Sequence, residues 1–168
     1  MNKITQLHAD IEIRVKAIRD EQPEWLCREG CDGCCQRLAE IPTLTKNEWD
    51  LLQEGLTKLP PEQLVEIDQE IAKLVGQSSR PVICPLLDRK QGICRVYDYR
   101  PVACRTYGFY SQRNYGLYCK AIETQVAEGR LTEVVWGNHE VIERRLGELG
   151  ERHELPELFA RWKKSGAD

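Results

Sequence analysis

The sequence predicts a mainly helical α+β fold carrying one small β-hairpin, gathered into a single domain. Three observations carry that expectation. Several stretches repeat apolar residues at three- and four-residue steps, the period of a helix with one buried face. A single stretch, residues 82–97, sets two apolar runs about a turn. The length, 168 residues, is that of one ordinary domain.

Taken in order, residues 3–20 form the first helix, with Ile4, Leu7, Ile11, Val15 and Ile18 on one stripe. Pro23 ends that region. Thr45-Lys46-Asn47-Glu48 has the form of a capping box, Thr45 as N-cap and Glu48 reaching back. It starts a short helix carrying Trp49, Leu51 and Leu52 and ending near Gly55. Pro60-Pro61 opens the next, with Leu64, Ile67, Ile71 and Leu74 on one face and Gly76 as its stop. Residues 76–81 read as a linker. In the hairpin, a turn centred on Arg89 sets Cys84 opposite Cys94, with Leu86 and Val96 on the same face. Arg100-Pro101 begins a helical turn that presents Cys104, and residues 107–118 read as a Tyr/Gly-rich loop leading to Cys119. Helical pattern then returns at 120–128, ended by Gly129; from Asn138 as cap to Leu149, followed by Gly150; and after Pro156, with Leu158, Phe159 and Trp162. No internal repeat is found.

Composition narrows the classes. Hydrophobic residues make up 41% and charged residues 30%, with a formal net charge of −3. That balance gives no global basic field to collect nucleic acid. The first twenty or so residues contain Asp10, Glu12 and Asp20 and no unbroken apolar segment, so no targeting signal is read there. No run of about 18 apolar residues offers a membrane span. The expectation is a cytoplasmic protein in a reducing compartment, where stable disulfides are rare.

That compartment makes the thiols informative, because the chain has 8 cysteines. Cys27, Cys31, Cys34 and Cys35 sit in one loop hinged by Gly30 and Gly33, and Cys84, Cys94, Cys104 and Cys119 follow. The two-residue gap between Cys31 and Cys34 suits two thiolates biting one metal centre. Cys34 and Cys35 are adjacent; in an extended segment their side chains diverge, so one points at a second centre or is a free, reactive thiol. Two four-thiolate sites, two clusters, or mixed sites drawing on both groups are all allowed. Thiolate centres carry net negative charge and need cations and N–H donors around them. Arg95, Arg100 and Arg105 lie beside Cys94 and Cys104 in sequence, and Lys120 beside Cys119.

Cys27-x3-Cys31-x2-Cys34-Cys35, followed by Cys84-Pro85-Leu86-Leu87, Gly92-Ile93-Cys94-Arg95-Val96-Tyr97, Arg100-Pro101 and Cys104-Arg105, resembles the YkgJ-type cysteine-cluster family over roughly residues 25–120. That family is known as a zinc- or iron-chelating domain related to the flagellin lysine N-methylases. The resemblance implies metal ligation by Cys27, Cys31, Cys34, Cys35, Cys84, Cys94 and Cys104; Cys119 lies at its edge.

Three rival readings share parts of the pattern. Cys27-x3-Cys31-x2-Cys34 has the spacing of radical S-adenosylmethionine enzymes, but the chain lacks the repeated βα units of their barrel. Arg95, Arg100, Arg105 and Arg113, with Tyr97, Tyr99, Tyr107, Tyr110 and Tyr115, would suit a nucleic-acid-binding zinc module, which the net charge argues against. A structural zinc domain docking a protein partner is the third. His8, His139 and His153 stand apart from the thiols, and no phosphate loop, nucleophile elbow or His-Glu-x2-His pair is present.

The reading is therefore a metal-binding protein. Cys27, Cys31, Cys34, Cys35, Cys84, Cys94, Cys104 and Cys119 chelate zinc or iron, a 4Fe-4S cluster included, and no catalytic residue is assigned. Residues 25–120 would be the metal-binding core and residues 121–168 a helical C-terminal extension of one domain spanning 1–168. The alternatives are an iron–sulfur enzyme of the protein-methylase or radical type, and a zinc-dependent nucleic-acid- or protein-binding module. The expected partners are the metal ion and a protein, not nucleic acid or membrane.

Overall fold

The computed structural model describes residues 2–166. In chain order, helix α1 spans Lys3–Glu21, strand β1 Thr43–Thr45, α2 Lys46–Leu56 and α3 Pro61–Leu74. Strands β2 (Leu87–Asp88) and β3 (Ile93–Cys94) precede a 3-10 turn at Tyr97–Tyr99 and α4 at Val102–Thr106. Strands β4 (Tyr110–Gln112) and β5 (Tyr115–Leu117) are followed by α5 (Lys120–Ala127), β6 (Gly137–Asn138) and α6 (His139–Gly147). Strand β7 (Arg152–Glu154) and α7 (Leu155–Lys164) complete the described chain. The fold is mainly helical with small sheets, as the periodicities require. Among the described residues no helix is long and apolar enough to cross a membrane.

The chain divides into two compact units, each assembled from two stretches. The first contains Met1–Arg28 and Pro101–Leu149. Its spine is α1, whose five-residue stripe of Ile4, Leu7, Ile11, Val15 and Ile18 is buried as its spacing predicts. Asn2 caps this helix, its side chain accepting from Thr5 N at 2.9 Å. Arg105 on α4 and Arg145 on α6 reach Glu12 and Asp10 of α1 at 3.2 and 2.7 Å. Residues 110–117, read as loop from the sequence, form a hairpin instead: β4 pairs antiparallel with β5 and parallel with β6. Its tight turn places Arg113 at φ 52°, a position usually given to glycine, so the usual turn signal is missing. Trp25 stacks on Phe109 and tilts against Trp136, with ring centroids 5.9 and 5.6 Å away. Helix α6 stops at Gly147, short of the predicted Leu149.

The second unit contains Glu29–Arg100 and Gly150–Asp168. Its core brings Leu44, Leu52 and Leu56 together with Ile67, Leu86 and Val96, and α7 adds Leu155, Leu158 and Phe159. The capping box of α2 is formed in both directions. Glu48 Oε2 accepts from Thr45 N at 2.9 Å, and Thr45 Oγ1 accepts from Glu48 N at 3.4 Å. Strand β1 pairs antiparallel with β7, Leu44 opposite His153. That pairing was not legible, because Thr45 ends the strand and caps the helix at once, leaving too few residues for an alternation.

The predicted hairpin forms in shortened form and in another register: Leu87, not Cys84, stands opposite Cys94. Two local causes move the turn. Asp88 Oδ1 accepts from the backbone N–H groups of Lys90 and Gln91 at 2.9 and 3.2 Å, and Gly92 N donates to Asp88 O at 2.8 Å. Leu87 N donates to Cys84 O at 3.2 Å, so residues 84–87 turn rather than extend.

Candidate metal centre

The second unit builds a thiol group from three segments. In the first, Gln36 N donates to Asp32 O at 3.0 Å and Arg37 N to Cys34 O at 3.2 Å. The loop is therefore coiled rather than extended at Cys34-Cys35, so the two neighbouring thiols are not forced to opposite faces. A two-way bridge between Leu38 and Val82, 2.9 Å in each direction, lays this loop along residues 82–84. Cys84 N then donates to Cys35 O at 2.7 Å. Cys94 arrives on β3, and Cys84 and Cys94 both pack against the core that contains Leu86 and Val96.

The four thiols of Cys34, Cys35, Cys84 and Cys94 interact with one another. Cys34 and Cys35 share a side-chain hydrogen bond, Cys35 makes a second with Cys84, and Cys94 feels the charge of Cys34. The hydrogen bond with Cys35, then burial, then the charge of Cys35 hold the Cys34 thiol far above its ordinary value. For Cys35 the bond from Cys34 works downward. The bond with Cys84, burial and the charges of Cys84 and Cys94 outweigh it and push the thiol up to about 12. Burial raises Cys94, opposed first by a backbone bond from Val96 and then by the charge of Arg100. The thiolates of Cys34, Cys35 and Cys94 are thus disfavoured on balance. A soft cation among them reverses that balance, because a coordinating thiol is deprotonated outright. Half-buried sulfur donors of this kind fit zinc or iron. Among the described residues no group of three or more His, Cys, Asp or Glu side chains is placed so as to hold a metal ion.

Arg100 is the cation at this group. Its guanidinium lies 3.4 Å from the Tyr97 ring centroid, and its Nε donates to Tyr97 O at 2.8 Å. The other basic residues flanking the cysteines make different contacts: Arg95 pairs with Glu66, Arg105 with Glu12 and Lys120 with Glu123. The sequence named Arg100 only as one of several neighbours; the Arg100–Tyr97 stack that orders it was the missed signal. The proposed nucleic-acid patch is tied down as well. Arg113 pairs with Glu140 and Tyr110 is buried.

Cys31 is exposed in the first loop of the same unit. Cys27, Cys104 and Cys119 belong to the other unit. Cys27 Sγ donates to Tyr107 O at 3.4 Å, Cys104 is exposed on α4, and Cys119 stands half-buried at the N-cap of α5. None of the cysteines is in a disulfide.

Residues 26–129 match the CxxCxxCC family, described as a putative zinc- or iron-chelating domain. The match takes in every cysteine and more than half of the chain. No curated protein and no solved structure matches it.

Proposed function

As the chain belongs to the CxxCxxCC family, we propose that it is a metal-binding protein whose Cys34, Cys35, Cys84 and Cys94 hold zinc or iron. The observation that carries this reading is the interaction of four thiols from three segments, two of which meet through backbone bonds. A bound ion supplies the positive charge that four converging thiolates need. The chain's own part is to gather the sulfurs through the Leu38–Val82 bridge and the Cys84–Cys35 bond, to part-bury them, and to set Arg100 nearby.

Anaerobic purification with elemental analysis and an absorption spectrum tests the proposal. Stoichiometric metal is expected. A colourless zinc protein, or a brown one absorbing near ~400 nm, separates zinc from thiolate-ligated iron–sulfur. Cys94→Ser lowers both metal content and stability. The same loss in Cys31→Ser brings the exposed thiol into the ligand set. Metal content unchanged in Cys94→Ser overturns the assignment.

A further inference from the structure

We propose that Cys35 and Cys84 form a site of reversible oxidation: a peroxide joins them in a disulfide, and the four-thiol group then lets go of its metal. The oxidation stands on the pair alone. The release rests on the reading of Cys34, Cys35, Cys84 and Cys94 as a metal site.

The backbone sets the pair. Leu38 and Val82 exchange both N–H···O bonds at 2.9 Å, and regular antiparallel pairing would next bring Gln36 opposite Cys84. Gln36 N turns instead to Asp32 O at 3.0 Å, and Cys84 N donates to Cys35 O at 2.7 Å. Cys35 is thereby drawn up to Cys84. Residues bonded across facing strands hold their Cα atoms about 5.5 Å apart, inside the range of about 4.4–6.8 Å over which disulfides form. The side chains meet as well, since the two thiols share a hydrogen bond. Both residues are half-buried rather than sealed in the core, which leaves access for a small oxidant.

The other pairings are poorer. Cys34 also shares a hydrogen bond with Cys35. Sequence neighbours, however, stand about 3.8 Å apart at Cα across a trans peptide, short of the disulfide range of about 4.4–6.8 Å. Cys94 stands opposite Leu87 in its hairpin and is coupled to the group through the charge of Cys34.

The step balances with hydrogen peroxide as the oxidant. One sulfur of the pair attacks the peroxide, the O–O bond breaks, and a sulfenic acid and a water result. The second sulfur attacks the first, the S–O bond breaks, and the hydroxyl leaves with the second thiol proton as another water. The two sulfurs lose two electrons and the peroxide gains them. Of the four thiols, Cys34 and Cys94 are then left to ligate, too few for a closed tetrahedral zinc site. An external thiol reverses the link by exchange.

The full chain, loaded with zinc because that ion has no redox chemistry of its own, is treated with hydrogen peroxide, capped with iodoacetamide and digested with trypsin without reduction. Cys35 lies on residues 29–37 and Cys84 on residues 74–89. A cross-link between these peptides is expected, absent after dithiothreitol, formed in Cys34→Ser and lost in Cys35→Ser. Zinc should leave in step with the link, read by a colorimetric chelator. Fragmentation of the wild-type cross-link locates its sulfurs even where a variant fails to fold. A link on Cys31 or Cys34, or Cys35 and Cys84 both still open to iodoacetamide after peroxide, overturns the oxidation site. A Cys35–Cys84 link with zinc retained overturns the release and leaves the metal reading standing. The same link in a chain that takes up no zinc or iron overturns the metal reading and leaves the oxidation site standing.

Discussion

His8 is the side chain on which acid acts most directly outside the thiols. Its Nε2 is buried without a hydrogen-bond partner. Burial first, and the charge of Arg105 second, bring its pKa down from 6.5 to about 4. In the unfolded chain the imidazole takes its proton near 6.5; in the folded chain it stays neutral until about pH 4. Between those values the unfolded state binds more protons, so stability rises with pH and is lost on acidification. After discounting for solvent screening of a partly exposed group, the loss is about 1–2 kcal/mol. Urea unfolding of wild type and His8→Gln at pH 7 and at pH 4.5 measures it. The stability difference between the two should move by that amount in favour of the variant at low pH. Thiol protonation affects both proteins alike and cancels. A difference that stays constant with pH would remove His8 as the cause. Nothing in the sequence marked this histidine beyond its place in a helix, because its neighbours come from α1 and α4, distant in the chain.

Helix α2 shows how an element's stability is set by what it packs against. Gly55 lies inside the helix, where alanine is normally better by roughly 0.5–1 kcal/mol. Here an added Cβ would stand 2.6 Å from Cγ and Cδ2 of Tyr99. That ring is held from its other end by Lys58, which bonds its hydroxyl. Overpacking of this kind costs about 1–3 kcal/mol and outweighs the propensity gain. Gly147, at the end of α6, has nothing within 4 Å of an added Cβ and needs no positive φ. Gly55→Ala should therefore lower the urea midpoint and Gly147→Ala raise it or leave it unchanged; a rise in both would show that Tyr99 yields. The same contrast explains what the sequence revealed. Helix α1 and the capping box of α2 were legible because spacing and local side-chain bonds specify them. The β1–β7 pair, the β4–β5 hairpin and the register of β2–β3 were not. They depend on partners far along the chain, on a non-glycine turn residue, and on a side-chain bond from Asp88 that slides the turn. Four of the predicted thiols, Cys34, Cys35, Cys84 and Cys94, do come together, yet through a Leu38–Val82 bridge rather than through the face-to-face hairpin the spacing suggested.

At the scale of the whole molecule, the chain passes from one unit to the other after Arg28, Arg100 and Leu149. The first cysteine loop is cut by this division, with Cys27 on one side and Cys31, Cys34 and Cys35 on the other. The C-terminal segment belongs to the unit that carries the four-thiol group, not to the one its preceding helices build. Strand β7 supplies the partner of β1, and α7 buries Leu155, Leu158 and Phe159. Burying three large apolar side chains is worth roughly 5–9 kcal/mol, at about 1.5–3 kcal/mol each. A domain's whole stability is about 5–15 kcal/mol. Ending the chain at Leu149 should therefore unfold the second unit while leaving the residues of the first intact. Any metal held by the proposed four-thiol site should go with it, since a thiolate site assembled by folding is lost on unfolding. Far-UV circular dichroism, limited proteolysis and metal analysis of the truncated chain read this out. Cleavage within residues 29–100, with the metal attributed to Cys34, Cys35, Cys84 and Cys94 gone, is the expected result. A truncated chain that keeps both its protease resistance there and its full metal content would mean that the tail only decorates a unit already stable without it.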